Sequence, residues 1–568
     1  MPPDPVWWCP MKPLAFAVSI GVLGLASIAN AADMPRKAPA LPAWSWTGWY
    51  LGLHTGAALG FSKVSDPYGS SIFGDTVRTP GFLLGAQLGY NWQQPGTRWV
   101  YGLEADASWL DADGTSTCFA ASGLLTSSNC RASPDFIGTF TGRVGYAAGP
   151  AGHTLLYVKG GGAALHNRLD ATTNFGFGVF PISTTSASPT RWGWTVGAGV
   201  EQAVSPAWSV RLEYDYLDFG NATLATPATF STTPAGIATA VPANTATVRQ
   251  SLHEFKIGLN YKIGADPGQQ WRSSAAPFGA PAAVADAGWV FEPGIRYWYS
   301  SGRFQKDLPN DAQSSSSLIS RLTYADMTAH SGEFFARLDS PWHVFLKGYI
   351  GLGRITGGTM NDEDWGLTTS APFTGYSNTS SGLSDTDINY GTIDLGYDVL
   401  HGPGYKVGVF VGYSHIYEQY AATDCTQIAS PSSGICAPTI SNTAVITETD
   451  KWDSLRVGVA TDTWLTRQWR LVGDMAYLPY VKFKGVDNHW LRNLVIDEDG
   501  HGVGVQLDAI LSYYVTPQFS VGAGARYWTM WTTTGSDAFD GVPVDRTDTY
   551  RYERWGVLVQ AAYKFAQK

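Results

Sequence analysis

Apolar and polar residues alternate strictly over many segments of the chain. One segment has Trp208, Val210, Leu212, Tyr214 and Tyr216 on one side and Ser209, Arg211, Glu213 and Asp215 on the other. Successive side chains of a β-strand point to opposite faces, so this period of two predicts strands. The apolar faces are edged with Trp and Tyr, which is typical of strands that cross a bilayer. A soluble β-sandwich is the alternative. It would expose the polar faces to water, but these faces carry more charges than we expect on the surface of an acidic soluble protein.

The alternating segments form two groups. Eight predicted strands lie near residues 49–61, 82–92, 99–110, 136–147, 155–166, 192–201, 208–219 and 252–263. About ten follow, near 291–301, 318–338, 342–356, 386–400, 405–420, 452–464, 469–483, 503–515, 519–531 and 552–565. Even numbers of antiparallel strands close into barrels with both ends on the periplasmic side. The predicted fold is therefore all-β, with two transmembrane antiparallel β-barrels in tandem.

A leader and a linker complete the predicted domain organisation. Lys12 precedes an apolar run that ends near Ala26, and the small-x-small pattern at 29–31 predicts a signal peptide rather than a transmembrane helix. Residues 264–287 are rich in Pro, Ala and Gly, as expected of a linker. The predicted parts are a signal peptide (1–31, with 1–10 upstream of the true start), an eight-stranded barrel (32–263), a periplasmic linker (264–287) and a ten-stranded barrel (288–568).

Net charge and cysteine content restrict the class of protein and its partners further. The net charge of -10 and the lack of a basic stripe exclude nucleic acid as a partner. Once the signal is removed, Cys118 with Cys130 and Cys425 with Cys436 form two local pairs in Ser/Thr-rich stretches. In an oxidising compartment these are candidate disulfides. Metal binding is the alternative, but neither pair has Cys-x-x-Cys spacing or a nearby His cluster.

The first predicted barrel resembles a known group of small outer-membrane proteins. The resemblance rests on the segments WTGWYLGLHTGAALG, GFLLGAQLGYNW and EFKIGLNYKI. They resemble the opacity-protein-like porin family over residues 44–263, which implies a structural or antigenic barrel. The inward charged positions are Glu104, Asp106, Arg211, Glu213, Asp215, Glu254 and Lys256. An eight-stranded barrel holds only its own side chains, so we expect these groups to pair in a closed interior rather than line a pore.

Two short acidic motifs stand out in the second predicted barrel. Asp362 and Asp364 follow the third strand, and Asp487 and His489 follow the seventh. An i, i+2 pair in extended backbone points to one side, and odd strands end at the same rim. The pattern fits hydrolysis by water. His489 would be the general base, Asp487 would fix its tautomer, and the aspartate pair would hold the water without any covalent nucleophile.

These motifs lie in a longer resemblance. The resemblance rests on the segments GGTMNDEDW, DTDINY, PGYKVGVFVGY, DNH and SYYVTP. They resemble the omptin family of outer-membrane proteases over residues 289–566. By this resemblance Asp362 and Asp364 match the family's aspartate pair, and Asp487 and His489 match its Asp-His dyad. The resemblance implies an aspartic-type endopeptidase that acts on peptides or proteins at the cell surface.

The omptin resemblance also implies a lipid partner. Omptin-like enzymes depend on lipopolysaccharide, and Arg456 on the sixth strand is a candidate contact. We expect no metal or other cofactor, although the Asp-Glu-Asp run offers hard oxygen ligands that a divalent cation could use. The alternative to an enzyme is a non-catalytic surface barrel, such as an adhesin, an antigen or a porin.

Two features depart from the resemblance. The family's acidic specificity positions correspond here to Gly485 and to a loop with Lys306 beside Asp307, so a preference for Arg or Lys at the cleavage point is not predicted. In addition, the motifs have the parity of the outward-facing residues on their strands. A one-residue slip is needed on each strand, and the pair at 357–358 and Gly485 are plausible bulge positions.

Overall fold

The computed structural model describes most of the chain beyond residue 43. The described ranges are 44–121, 126–149, 151–174, 182–232, 238–266, 288–311, 314–365, 376–402, 404–429, 435–437 and 439–567. The predicted signal peptide and residues 267–287 of the predicted linker lie outside these ranges, and the domain boundaries stay predictions. Among the described residues, no helix has the length and apolarity needed to span a bilayer.

The first half of the described chain is a closed antiparallel barrel. Its strands are β1 (Gly48–Val64), β2 (Thr76–Gln93), β3 (Trp99–Ala112), β4 (Gly114–Cys118), β5 (Ser128–Ala148), β6 (Thr154–Thr173), β7 (Thr184–Ala187), β8 (Thr190–Ala203), β9 (Trp208–Thr226), β10 (Thr229–Thr232), β11 (Ala238–Val241) and β12 (Asn244–Lys262). The ring runs β5-β3-β2-β1-β12-β9-β8-β6 and closes by the β5–β6 pairing. Within the described residues this is the predicted eight-stranded barrel, with β10 and β11 as a separate hairpin.

Ion pairs fill the interior of the first barrel. Arg211 Nη1 lies 2.6 Å from a Glu104 oxygen, and Lys256 Nζ lies 2.6 Å from an Asp215 oxygen. Lys159 joins the network through Glu213 at 2.8 Å. All seven inward charges singled out in the sequence are buried. The expectation of a closed, paired interior is therefore confirmed.

The second half forms a wider barrel. Its strands are β13 (Trp289–Asp311), β14 (Ser314–Asp339), β15 (Val344–Trp365), β16 (Tyr376–Leu383), β17 (Thr386–Gly402), β18 (Tyr405–Ala429), β19 (Ala444–Trp464), β20 (Trp469–His489), β21 (Leu494–Tyr514), β22 (Phe519–Phe539), β23 (Val542–Pro543), β24 (Thr549–Tyr563) and β25 (Phe565–Gln567). β16 and β17 together form one interrupted strand between β15 and β18. Counted this way within the described residues, ten strands close through the β14–β15 pairing.

Large side chains fill the lumen of the second barrel. Trp298, Trp452 and Trp528 are fully buried, and Arg554 is paired with Glu418 at 2.7 Å. This filling corrects one expectation. Arg456, proposed as an exposed lipopolysaccharide contact, points into the lumen and is bonded to Asp394 at 2.9 Å, so it is not exposed to lipid.

The strands continue well beyond the lipid-facing belt. On β15 the exposed apolar residues end at Leu352, but the strand runs on to Trp365 at about 3.3 Å per residue. On β20 the last exposed aromatic ring is that of Tyr480, and the strand continues to His489. We call the end of the barrel that carries these strand extensions the long-loop end. Short turns connect the strands at the other end. The sequence predicts shorter strands because alternation fades once one face no longer meets lipid.

Register shifts turn the two acidic motifs inward. On β15 the shift lies between Ile355 and Gly357, as the Gly pair predicts, and Gly358 has a φ of 148° that favours glycine. On β20 the prediction of a bulge at Gly485 is wrong. The shift falls between Leu478 and Val481, around Pro479, where a residue without an N–H is tolerated because the ladder is already broken.

Candidate active site at the long-loop end of the second barrel

The structure brings the two acidic motifs to one cleft. Both motifs lie on the extended ends of β15 and β20, rather than in the loops after them as the sequence suggests. The residues that line the cleft are Met360, Asp362, Thr379, Cys425, Ile435, Cys436, Val445, Ile446, His489, Leu491 and Arg492. Charged groups therefore stand on two walls, and apolar side chains that could contact an extended peptide lie between them.

The Asp-His pair has the geometry of a base and its orienting group. His489 Nε2 lies 3.0 Å from Asp487 Oδ2, so Nδ1 is the ring nitrogen left for a water molecule. Burial disfavours the imidazolium, but the Asp487 carboxylate outweighs it and raises the pKa of His489 above its ordinary value. Burial also opposes ionisation of Asp487, yet His489 and the Lys306 ammonium hold the pKa of that carboxyl well below its usual range. Asp487 therefore stays charged and can stabilise the protonated ring.

The aspartate pair is electrostatically linked to the dyad. Burial, followed by the charge of Asp364, raises the pKa of Asp362 to about 6, and His489 is among the charges that act on it. Arg492 Nη2 lies 3.2 Å from Asp364 Oδ2. Arg492 sits in the tight turn after His489, so the turn that follows one motif supplies the counterion of the other.

A second group of carboxylates lies beneath the dyad. Glu448, Asp450 and Glu498 are buried and point inward from β19 and β21. A Cβ at Gly485 would come within 2.5 Å of Glu498 Oε2, so Glu498 fills the space of the side chain that Gly485 lacks. The Lys306 Nζ lies 2.5 Å from carboxylate oxygens of both Asp487 and Glu498. We call this group of buried carboxylates the acidic pocket; the Lys306 ammonium lies inside it.

The two residues of the predicted outer loop face opposite ways. Lys306 points into the pocket, whereas Asp307 points out of the barrel and is bonded to Arg321 at 2.7 Å. Asp307 therefore adds no charge to the pocket. The run Asp-Glu-Asp, considered in the sequence as a set of hard oxygen ligands, is split between two faces of β15. Glu363 turns away from Asp362 and Asp364, so the Asp-Glu-Asp run does not converge on one ion.

Disulfides hold two of the outer loops. Cys118 is joined to Cys130 and Cys425 to Cys436, with Cα separations of 5.8 Å and 5.7 Å, as the sequence predicts. The second disulfide lines the cleft that contains Asp362 and His489. A cross-link at this position limits the freedom of the wall that a substrate would touch.

Sequence reasoning missed several of these groups. Arg492 belongs to no motif, and its only signal is its place three residues after His489. Glu448 and Glu498 lie in parts of β19 and β21 that precede the predicted strands, so their inward direction could not be read from alternation. The second barrel has another Asp-His pair. His415 Nδ1 lies 2.7 Å from Asp453, and both side chains are part-exposed on the outer surface, away from the cleft.

Fold and site together define an outer-membrane barrel protein with a candidate hydrolytic cleft. Residues 19–262 match the family described as Outer membrane protein beta-barrel domain, and residues 328–540 match the Omptin family. The chain belongs to the first family through its N-terminal barrel, and its C-terminal barrel is similar to the second. Its location is the outer membrane of a Gram-negative bacterium. At the family level, the C-terminal match indicates an outer-membrane protease.

Two relatives and one solved structure are similar to parts of this chain. The 31 kDa outer-membrane immunogenic protein of Brucella melitensis is 30% identical over 250 residues, covering 42% of this chain and 95% of that protein. The 22 kDa outer membrane protein of Rhizobium leguminosarum is 33% identical over 186 residues, covering 32% of this chain and 69% of that protein. The crystal structure of the outer membrane protease OmpT from Escherichia coli aligns with 49% of this chain and 97% of that chain, at 16% identity and a TM-score of 0.40.

Proposed function

We propose that the second barrel is an aspartic-type endopeptidase that hydrolyses peptide bonds at the cell surface. One observation carries the proposal. Asp362 and His489 line the same cleft, and Asp487 is bonded to the ring of His489 through Nε2 and leaves Nδ1 free to take a proton. Polar groups that converge in one cleft and carry shifted pKa values identify a candidate functional site.

The proposed reaction uses water as the nucleophile. Asp362 and Asp364 accept hydrogen bonds from the water and hold it against the scissile carbonyl carbon. His489 Nδ1 takes one proton as the water oxygen bonds to that carbon, and Asp487 stabilises the imidazolium. The same proton then passes to the amine nitrogen as the C–N bond breaks. His489 ends neutral, so the cycle needs no covalent intermediate.

Lipopolysaccharide is the proposed lipid partner. Lys451 and Lys484 face each other across β19 and β20, are exposed, and lie just beyond the exposed ring of Tyr480. Like charges directly opposite each other destabilise a sheet unless an anion lies between them. A phosphate group on an outer-leaflet lipid at this height would bridge the two lysines. This pair replaces Arg456 as the candidate contact.

Peptide cleavage by the purified full chain tests the proposal. We expect the chain in lipopolysaccharide-containing vesicles to generate new N-termini from a library of unstructured peptides, as read by mass spectrometry. Vesicles of phospholipid alone serve as the control and should show little cleavage. Absence of cleavage in both vesicles, or a steady ion conductance in planar bilayers, would favour a non-catalytic surface barrel or a porin.

Lys306 is expected to set the substrate preference. Its ammonium occupies the acidic pocket, so a substrate Arg or Lys side chain would have to compete with it. In Lys306→Ala the carboxylates of Glu448 and Glu498 lose their cation and gain space for a basic side chain. We expect the ratio of kcat/KM for an Arg-containing peptide over its norleucine analogue to rise at least about 10-fold.

The matched control for this prediction is Lys406→Ala. Lys406 forms a similar ion pair, with Asp339 at 3.1 Å, but lies at the short-turn end of the same barrel. Its removal should leave the peptide ratio unchanged. A ratio that stays constant in Lys306→Ala, in a variant that retains the barrel circular dichroism, would mean that Lys306 does not determine specificity.

A further inference from the structure

A charge network lies buried on the outer wall of the second barrel. Asp307, Arg321 and Glu363 point out of the barrel from β13, β14 and β15, with exposures of 4%, 1% and 0%. Arg321 Nε donates to Asp307 Oδ1 at 2.7 Å. Charged side chains on this face, above the lipid, ordinarily contact water. Here they are covered by another part of the chain.

The cover is the hairpin of the first barrel formed by β4 and the start of β5. Thr117 Oγ1 donates to Glu363 Oε2 at 2.7 Å and accepts from Arg321 Nη1 at 3.0 Å. Arg321 Nη2 donates to Asn129 Oδ1 at 2.7 Å. The disulfide between Cys118 and Cys130 braces the hairpin next to Thr117. Neutral groups of one barrel thus complete the hydrogen bonding of buried charges in the other.

Other contacts extend this interface. Arg551 Nη2 lies 2.6 Å from Asp113 Oδ2, and Thr115 Oγ1 donates to Asp307 Oδ2 at 2.5 Å. At the level of the lipid, the rings of Phe82 and Tyr477 are 4.8 Å apart. The two barrels therefore pack side by side, and the hairpin lies against the outer wall of the second barrel.

We propose that this hairpin is an intramolecular support that fixes the direction of Asp362 and Asp364. Neighbouring side chains of a strand point to opposite faces, so anchoring Glu363 outward turns both aspartates into the cleft. Tyr376 donates to the other Glu363 oxygen at 2.5 Å, which leaves the carboxylate little freedom. Glu363 and Thr117 are positioning residues. The inference rests on the proposed function and gives the first barrel a role in it.

The test removes one hydroxyl from the interface. Thr117→Val keeps the side-chain shape but deprives Glu363 of a donor and Arg321 of an acceptor. We expect amide hydrogen exchange of residues 359–365 to become at least about 10-fold faster, because local opening of the strand end is easier. We expect kcat for peptide cleavage to fall about 10-fold with KM unchanged, since misplacement of reacting groups acts on the chemical step. Thr117→Ser should restore both.

The matched control is Thr226→Val. Thr226 is buried at the same end of the first barrel, and its hydrogen bonds with Tyr68 and with the Asn244 amide stay within that barrel. It should leave both readouts unchanged.

Unchanged exchange in Thr117→Val overturns the proposal, as does faster exchange with an unchanged kcat. If the parent chain cleaves no peptide, the proposed function fails, and exchange alone decides whether the hairpin supports β15.

Discussion

His489→Ala should lower kcat/KM for peptide hydrolysis by about 10³-fold, because a positioned general base contributes roughly 10² to 10⁴. The imidazole of His489 can take a proton from water near neutral pH. Its loss leaves the aspartate pair and the substrate contacts in place, so KM should change little. The measurement is steady-state cleavage of a defined peptide in lipopolysaccharide-containing vesicles.

The second barrel offers a matched control in another Asp-His pair. His415 Nδ1 lies 2.7 Å from Asp453, but both side chains face outward from the barrel and are part-exposed. His415→Ala removes the same side chain from the same kind of contact and should retain full activity. Equal activity in parent and His489→Ala, with both proteins folded, would remove His489 from the mechanism.

The pH profile gives a second readout of the same role. A general base works in its neutral form, and Asp487 raises the pKa of His489 over the opposing effect of burial. Activity should therefore rise with pH, with a midpoint above about 6.5, the ordinary value for histidine. In Asp487→Asn the stabilising carboxylate is gone, so the midpoint should move to lower pH while the maximal rate falls. A midpoint that does not move would show that the profile reports another group.

Much of the fold could be predicted because lipid imposes alternation on every strand that crosses it. The strands around Trp208 and Phe519 were predicted within a few residues at the ends nearest the short turns. At the long-loop end the same strands were predicted too short. There both faces meet polar groups, the pattern loses its period of two, and residues such as Glu448 carry no sign of their direction.

The residues of the site could be predicted because they lie in short motifs, but the directions of their side chains could not. Whether Asp487 points inward depends on the register shift at Pro479, eight residues away, and proline in a strand is the signal that was overlooked. The run Asp-Glu-Asp makes the same point. It occurs at 362–364 and again at 497–499, and the structure presents the two copies to opposite faces.

This repeat provides the control for a prediction on the aspartate pair. At 362–364 the two aspartates face the cleft and Glu363 faces out; at 497–499 Glu498 faces in and the aspartates face out. Asp362→Asn with Asp364→Asn should lower kcat/KM by at least about 10²-fold, because preorganised polar groups that hold the reacting water act mainly in the transition state. Asp497→Asn with Asp499→Asn makes the same chemical change on the outer face and should be silent.

The single variants should reveal that the pair acts as a unit. Asp362 shares the electrostatic field of Asp364 and His489, and Asp364 is tied to Arg492 at 3.2 Å. Asp362→Asn alone should therefore cost nearly as much as the double change, since groups that act together are not additive. Two independent losses that multiply in the double variant would mean that each aspartate has its own task. A double variant as active as the parent would leave the dyad to activate water without help from β15.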